Sequence, residues 1–348
     1  MLPKSSQLKQ LIRMIKTDIL IIGAGPCGLF AVFEAGLLKM RCHLIDYLPQ
    51  AGGQCSEIYP KKPIYDIPGF PKILAGELVE NLMEQIKPFK PGFTLGERVE
   101  KIKKSQDGLF HVTTSLGTKH ISKVVVIAAG LGCFEPRKPN ILNLSMFENK
   151  GIDYIIKDPM VYKNKKVVIS GGGDSALDWS IFLSNNIASE VSLVHRRESF
   201  RGHPDSVDKV NQLSKEGKIN LITKAEVVDI QGNDNLQSIK IKSDNQILDL
   251  SADFWIPLFG LSPKLGPIAN WGLNLDKNAI SVNTLDYSTN IEGIYAIGDI
   301  NTYPGKLKLI LSGFHEAALM SQSAFKHVFP DGKKSFKYTT VLGQIEGF

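Results

Sequence analysis

At 348 residues the chain is too long for one ordinary core and suits two domains. Hydrophobic residues at 43% and charged residues at 22% are ordinary for a soluble globular protein, and a net charge of +6 without a concentrated basic stripe argues against a nucleic-acid partner. The charge is uneven: residues 134–259 hold 16 Lys+Arg against 17 Asp+Glu, a net of −1, which leaves +7 for the remainder and suits an acidic macromolecular partner there.

In chain order, Lys4, Lys9, Arg13 and Lys16 precede an apolar stretch from Ile19 to Phe33, the outline of a signal peptide. Gly23, Gly25, Pro26 and Gly28 interrupt that stretch, and it is too short to cross a bilayer. Residues 1–16 are therefore expected to be a frayed basic extension, with Met14 a candidate start, on a cytoplasmic protein with no membrane partner.

Residues 17–46 read as strand (Asp18–Ile22), tight turn, helix (Pro26–Leu38) and strand (Cys42–Asp46). The turn Gly23-Ala24-Gly25-Pro26-Cys27-Gly28 is a dinucleotide cradle: Gly23 permits the bend, Gly25 admits a pyrophosphate, and Gly28 lets helix and strand pack closely. Asp46 stands 23 positions after Gly23, where a carboxylate accepts bonds from ribose hydroxyls and disfavours a 2′-phosphate. This site suits FAD or NAD. The four cysteines, Cys27, Cys42, Cys55 and Cys133, show neither a redox Cys-x-x-Cys nor metal-ligand spacing, so no metal is expected.

Residues 47–76, rich in Gly and Pro, are expected to form an extended loop. A helix at 76–86 and alternating strands lead to Val124–Ile127 and the Ala128-Ala129-Gly130 turn, and residues 134–166 link to a second strand–turn–helix. That second turn, Gly171-Gly172-Gly173-Asp174-Ser175-Ala176, lies 148 positions after the first, with Ala in place of the third Gly. Its following strand, 190–194, ends in His195-Arg196-Arg197, with Arg201 nearby and no carboxylate. Forked guanidinium donors fit a 2′-phosphate, which selects NADP through Gly171, Gly173, Asp174, Ser175, Arg196, Arg197 and Arg201. His195 reads as a positioning or core residue, and Ser175 beside Asp174 belongs to a phosphate turn rather than a hydrolase pair.

Further strands follow in 219–250 and 254–259. The strand at Ile294–Ile297 ends in Gly298-Asp299, and a helix spans 313–328 before a polar, aromatic-bearing tail at 329–348. Asp299 favours FAD at the first turn, since a flavin's ribityl and phosphate region needs a second contact that NAD would not.

These motifs resemble the thioredoxin-reductase-like flavoproteins over nearly the whole chain, although Tyr154–Pro159 stands where thioredoxin reductase carries its Cys-x-x-Cys. Pro49-Gln50-Ala51-Gly52-Gly53-Gln54 and Tyr59–Pro71, with Gly298-Asp299-Ile300 and the tail, narrow the resemblance to ferredoxin/flavodoxin–NADP reductases of the thioredoxin-reductase-like type (type 2). The resemblance implies an α/β fold of two Rossmann-like, three-layer ββα nucleotide-binding domains. FAD would lie in 17–133 with 260–348, and NADP in 134–259.

It also implies that Gly23, Gly25, Cys27, Gly28, Asp46, Gln54, Val99, Phe134, Asp299 and Thr340 contact FAD. Tyr59 would stack on one flavin face and Tyr338 on the other, the tail 329–348 covering the partner subunit's flavin in a homodimer as a mobile gate. The expected activity is electron transfer from NADPH through FAD to an acidic carrier, ferredoxin or flavodoxin. Two alternatives remain at this point: a reductase of small acceptors such as quinones or iron chelates, and a non-catalytic NADP sensor.

Overall fold

The computed structural model describes residues 14–243 and 246–333. The chain divides into two units, the boundaries falling after Cys133 and after Ser262. Among the described residues no helix is long and apolar enough to cross a membrane.

The first unit begins with β1 (Met14–Lys16), β2 (Ile19–Ile22), α1 (Pro26–Leu37), β3 (Cys42–Asp46), α2 (Gln54–Glu57), β4 (Pro63–Ile64), β5 (Ile73–Leu74) and α3 (Ala75–Ile86). It continues through β6 (Gly92–Leu95), β7 (Val99–Lys104), β8 (Phe110–Thr114), β9 (Lys119–Ser122) and β10 (Val124–Ile127). The chain leaves through β11 (Cys133–Pro136). The second unit holds β12 (Lys166–Ser170), α4 (Asp174–Ser184), β13 (Glu190–His195), α5 (Pro204–Lys215) and β14 (Asn220–Thr223). β15 (Ala225–Gly232), β16 (Leu236–Ser243), β17 (Gln246–Ser251) and β18 (Phe254–Pro257) complete it. After β19 (Leu261–Lys264) the first unit closes with β20 (Leu275–Asp276), β21 (Ala279–Ser281), β22 (Ile294–Ala296), β23 (Asn301–Thr302) and α6 (Ile310–Val328).

Two expectations need correction. Met14–Lys16, read as part of a frayed extension, pair in parallel with β9 as the edge of a four-stranded sheet, β1-β9-β8-β7. The basic side chains that suggested fraying are compatible with an edge strand, because only the inner face must be apolar. The 47–76 loop likewise contains regular pieces: α2, and the antiparallel pair β4–β5. Gly and Pro punctuate these short elements rather than prevent them. Glu77 caps the helix that follows, its carboxylate accepting the Leu74 N–H at 3.1 Å.

The central sheet of the first unit is parallel, in the order β22-β10-β2-β3-β6. Apart from the edge strand β6, its strands are buried on both faces, and their side chains alternate between two cores. Ile19, Ile21, Leu44, Val124 and Val126 pack with residues of α1, α3 and α6. Leu20, Ile22, Ile45, Val125 and Ile127 pack with Val99, Phe110 and Val112 of the antiparallel sheet. Each such side chain contributes about 1.5–3 kcal/mol by leaving water. The result is helix layer, parallel sheet and antiparallel sheet in sequence.

The second unit repeats the plan with the parallel order β14-β13-β12-β18. Val167, Ile169, Val191 and Leu193 face Leu177, Leu183 and Val210 of α4 and α5. Val168, Val194 and the fully buried Trp255 face Ile230, Ile239 and Ile241 of the antiparallel β15-β16-β17 sheet. The Trp255 indole N–H donates to Ser170 Oγ at 2.8 Å, so its one polar atom is satisfied inside the core.

Candidate nucleotide-binding sites

Register decides where the first site lies. Ile22 pairs with Ile45 and with Ile127, and Ile127 with Ala296. The next residues along these strands, Gly23, Asp46 and Ala128, with Gly298 shortly beyond, therefore gather at one edge of the parallel sheet. That carboxyl-terminal edge is where ligands bind in open α/β sheets.

Gly23 has φ +110°, and a Cβ there would lie 2.3 Å from the Ala128 carbonyl oxygen. A Cβ on Gly28 would lie 2.1 Å from the Gly23 oxygen, so both positions require glycine for backbone contact. Gly25 differs: the nearest atom to a Cβ on it is Gly53 Cα at 4.0 Å. It is also the N-cap of α1 and supplies no side-chain cap, which leaves the helix N-terminus open to an anion. Beside the turn, Gly52 donates its N–H to Ala24 O at 2.8 Å, and Gly53, with φ +56°, places Gln54 at the start of α2. Gln54 Nε2 reaches the 128–130 turn, 3.6 Å from where a Gly130 Cβ would be.

Asp46 is engaged before any ribose arrives. Its Oδ2 accepts the Ala24 N–H at 2.6 Å and its Oδ1 the Leu48 N–H at 2.9 Å. Burial lifts this carboxyl above its usual range, and those N–H donors pull it partly back. It therefore both braces the glycine turn and offers its remaining lone pairs.

Cys27 lies in the wall. A Cβ on Gly313 would sit 2.1 Å from its Sγ, and one on Gly298 3.1 Å away. Burial, then the charges of Asp299 and Glu316, push the Cys27 thiol up to about 12, so it is a packing group and not a thiolate. Cys55 is likewise pushed to about 11, chiefly by burial, and its Sγ lies 3.9 Å from the Tyr59 hydroxyl. Burial also raises the Tyr59 phenol. Cys27, Cys42 and Cys55 are free.

Asp299 sits half-buried in the single turn Gly298–Ile300, without a hydrogen-bond partner among the described residues. Burial raises its carboxyl, opposed by Lys306 and Lys308. Val99 is 3% exposed and its side chain belongs to the core, away from solvent. Phe134 lies on β11. Tyr338 and Thr340 fall outside the described residues.

In the second unit, Ser170 pairs with Val194, which brings Gly171 and the end of β13 to one sheet edge. A Cβ on Gly171 would lie 2.6 Å from Leu258 O, and one on Gly172 2.1 Å from the His195 ring. Gly173 has nothing within 4 Å of a Cβ and is an N-cap without a side-chain cap, so the start of α4 is open. Ser175 is exposed on that first turn. Asp174 accepts the His203 N–H at 2.7 Å, and Arg201 N–H donates to Gly172 O at 2.7 Å. These two bonds hold the arginine loop against the turn.

His195 supports that loop, stacking on Phe200 at 4.9 Å with its Nε2 3.2 Å from Ser199 O. Burial lowers its pKa, opposed by the bond to Ser199 O and reinforced by the charges of Arg196, Arg197 and Arg201, which favours the neutral ring. The three guanidinium groups are exposed and have no ion-pair partner among the described residues.

Sequence reasoning missed Glu316. It is fully buried on α6, where it accepts from Gly298 N–H, Asn301, Tyr303 and Lys306. The signal was available: Gly313, Ala317, Met320 and Ala324 repeat at helical spacing, and Glu316 stands on that apolar face.

An uncapped helix start beneath two Cβ-free glycines, with a carboxylate at the next strand end, fits the pyrophosphate and ribose of FAD. The same cradle with three unpaired guanidinium groups fits a 2′-phosphate. The model of one protein family, described as pyridine nucleotide-disulphide oxidoreductase, matches residues 17–318. A protein named ferredoxin–NADP reductase 1 from Christiangramia forsetii is 70% identical, with 96% of each chain covered. A ferredoxin–NADP reductase of Nitrobacter hamburgensis is 51% identical, covering 95% of this chain and 97% of its own. Among solved structures, thioredoxin reductase of Lactococcus lactis matches in fold with a TM-score of 0.77 at 24% identity, covering 90% of this chain and 99% of that one.

Proposed function

This chain belongs to the pyridine nucleotide-disulphide oxidoreductase family and, within it, to the ferredoxin–NADP reductases, and from that premise we propose how its residues divide the work. It is an FAD-dependent oxidoreductase that passes electrons between NADPH and a ferredoxin-type carrier. FAD, when bound, supplies the conversion between two-electron and one-electron chemistry.

The first unit holds FAD. Gly23, Gly25 and Gly28 bring α1 to the pyrophosphate, with Cys27 packing behind the turn against Gly298 and Gly313. Asp46 takes ribose hydroxyls, Gln54 and Asp299 contact the flavin moiety, and Tyr59 covers one ring face and excludes water. Val99 backs the site from the core side of β7, and the family resemblance adds Phe134, Tyr338 and Thr340 as further flavin contacts, in a homodimer. The second unit holds NADP(H), with Gly171, Gly173 and Ser175 at the pyrophosphate and Arg196, Arg197 and Arg201 at the 2′-phosphate. Asp174 acts by fixing the arginine loop. Flavodoxin is a second carrier compatible with this division, and the +7 outside residues 134–259 favours an acidic one.

One observation carries the assignment of the two cofactors: matched cradles end in a carboxylate in one unit and in unpaired guanidinium groups in the other. Anaerobic NADPH titration of the purified protein, followed by ferredoxin, tests it. NADPH should bleach the flavin band while NADH does so far less, and ferredoxin should restore it. Persistence of the band under NADPH would return the sensor reading. A higher kcat/KM with quinones or iron chelates than with ferredoxin would return the small-acceptor reading.

A further inference from the structure

Glu316 is an expensive residue to keep where it is. Its carboxylate is fully buried, and its ion-pair partner Lys306 has a side chain only 5% exposed. An ion pair this deep usually stabilises no more than an apolar pair of the same volume would. Its geometry suggests another use. Oε2 accepts the Gly298 N–H at 2.6 Å and the Asn301 side-chain amide at 2.8 Å. Oε1 accepts the Tyr303 hydroxyl at 2.9 Å and the Lys306 ammonium.

The four donors come from residues 298, 301, 303 and 306, so one carboxylate gathers the whole loop on which Asp299 sits. Asn301 is tied further, donating to Ala296 O at 3.0 Å. Asp299 is the loop residue left out, its carboxylate without a hydrogen-bond partner among the described residues.

We propose that Glu316 is a positioning residue for the cofactor site, a buried latch that holds the Gly298–Ile300 turn so that the Asp299 carboxylate stays free and correctly placed for FAD. Lys306 balances the charge of the latch. The inference rests on the reading that Asp299 contacts FAD, and its test separates the two.

The FAD dissociation constant is measured by flavin fluorescence quenching on the apoprotein of four chains: parent, Asp299→Asn, Glu316→Gln and the double variant. Glutamine supplies one acceptor oxygen and one donor amide, so it cannot satisfy four donors. Glu316→Gln should weaken FAD binding by about tenfold or more. Because it acts through Asp299, it should add less than about twofold once Asp299 is asparagine.

A full and equal loss in both backgrounds would mean general loosening of the fold and overturn the latch. An Asp299→Asn chain that loses FAD while Glu316→Gln does not also overturns the latch, and leaves the Asp299 reading standing. An Asp299→Asn chain with parental affinity overturns both. Should Glu316→Gln fail to fold, Lys306→Met with Glu316→Gln removes both buried charges together and is read against Asp299→Asn in the same way.

Discussion

The two nucleotide turns share a backbone plan and differ in how finished they are. The first is braced from all sides: Asp46 bonds back to Ala24, Gly52 and Gly53 lie against it, and Cys27 wedges between Gly298 and Gly313. The second is as tight at its bend, where a Cβ on Gly171 would lie 2.6 Å from Leu258 O, but it opens at its rim: a Cβ on Gly173 would meet nothing within 4 Å, and its three arginine side chains are exposed. A braced cradle suits a cofactor that stays, and an open one suits a substrate that must leave after each turnover. Preorganisation raises affinity by lowering the cost of ordering, which is an advantage only for the resident ligand.

Glycine substitutions break this comparison most sharply. Gly23→Ala places a methyl group 2.3 Å from a backbone oxygen at φ +110°. We expect loss of about 3 kcal/mol of stability and a colourless product, read from the ratio of flavin to protein absorbance and from Tm. Gly173→Ala has an ordinary φ of −101° and free space around the Cβ. Its stability should stay within about 0.5 kcal/mol of the parent, leaving Tm nearly unchanged, with the cost appearing as a raised KM for NADPH. Equal Tm losses in the two variants would show that the rim position Gly173 is as tightly enclosed as the bend position Gly23.

The arginines sharpen it next. Arg196→Ala and Arg197→Ala each remove a charge-assisted donor worth about 1.5–3 kcal/mol, so KM for NADPH should rise roughly 10–100-fold. The same variants should leave kcat/KM for NADH unchanged, because NADH carries no 2′-phosphate. A parallel loss with both nucleotides would assign the arginines to the pyrophosphate instead.

Both turns could be read from sequence because their constraints are local: a glycine at a bend and a charge at a strand end show in the residues themselves. The strand Ile19–Ile22 and helix Pro26–Leu37 match the expected positions within a residue, their apolar runs being long and cleanly punctuated. The Glu316 cluster was hidden because its donors lie 10 to 18 residues away and meet it only through tertiary packing. β1 was hidden for a related reason, its partner β9 lying about 100 residues further along. Three residues have no readable period, so only the fold reveals the pairing.

Acid should separate the units by a smaller margin, through two histidines of the first unit. His43 and His120 are buried with ring centroids 4.9 Å apart, and His43 Nε2 lies 2.8 Å from Thr94 Oγ1. Both ring nitrogens of His120 lack a hydrogen-bond partner among the described residues. Burial, then the neighbouring His120, lowers the pKa of His43 to about 4, and burial lowers that of His120 as well. The fold therefore favours the neutral rings, whereas the unfolded chain takes up protons near pH 6.5. Their contribution is fully present above that pH and is lost as pH falls below about 6.5, for His43 down to about 4. His120→Phe keeps a ring in the space while removing one titrating group and its unpaired nitrogens. Between pH 7 and pH 5 the Tm of the parent should fall, and that of His120→Phe should fall less, by the equivalent of about 1 kcal/mol. The change should appear in flavin release, which reports the first unit. It should not appear in NADPH binding by the second unit, which contains neither of these two rings. Identical acid limbs in the two proteins would remove the histidine pair as the source.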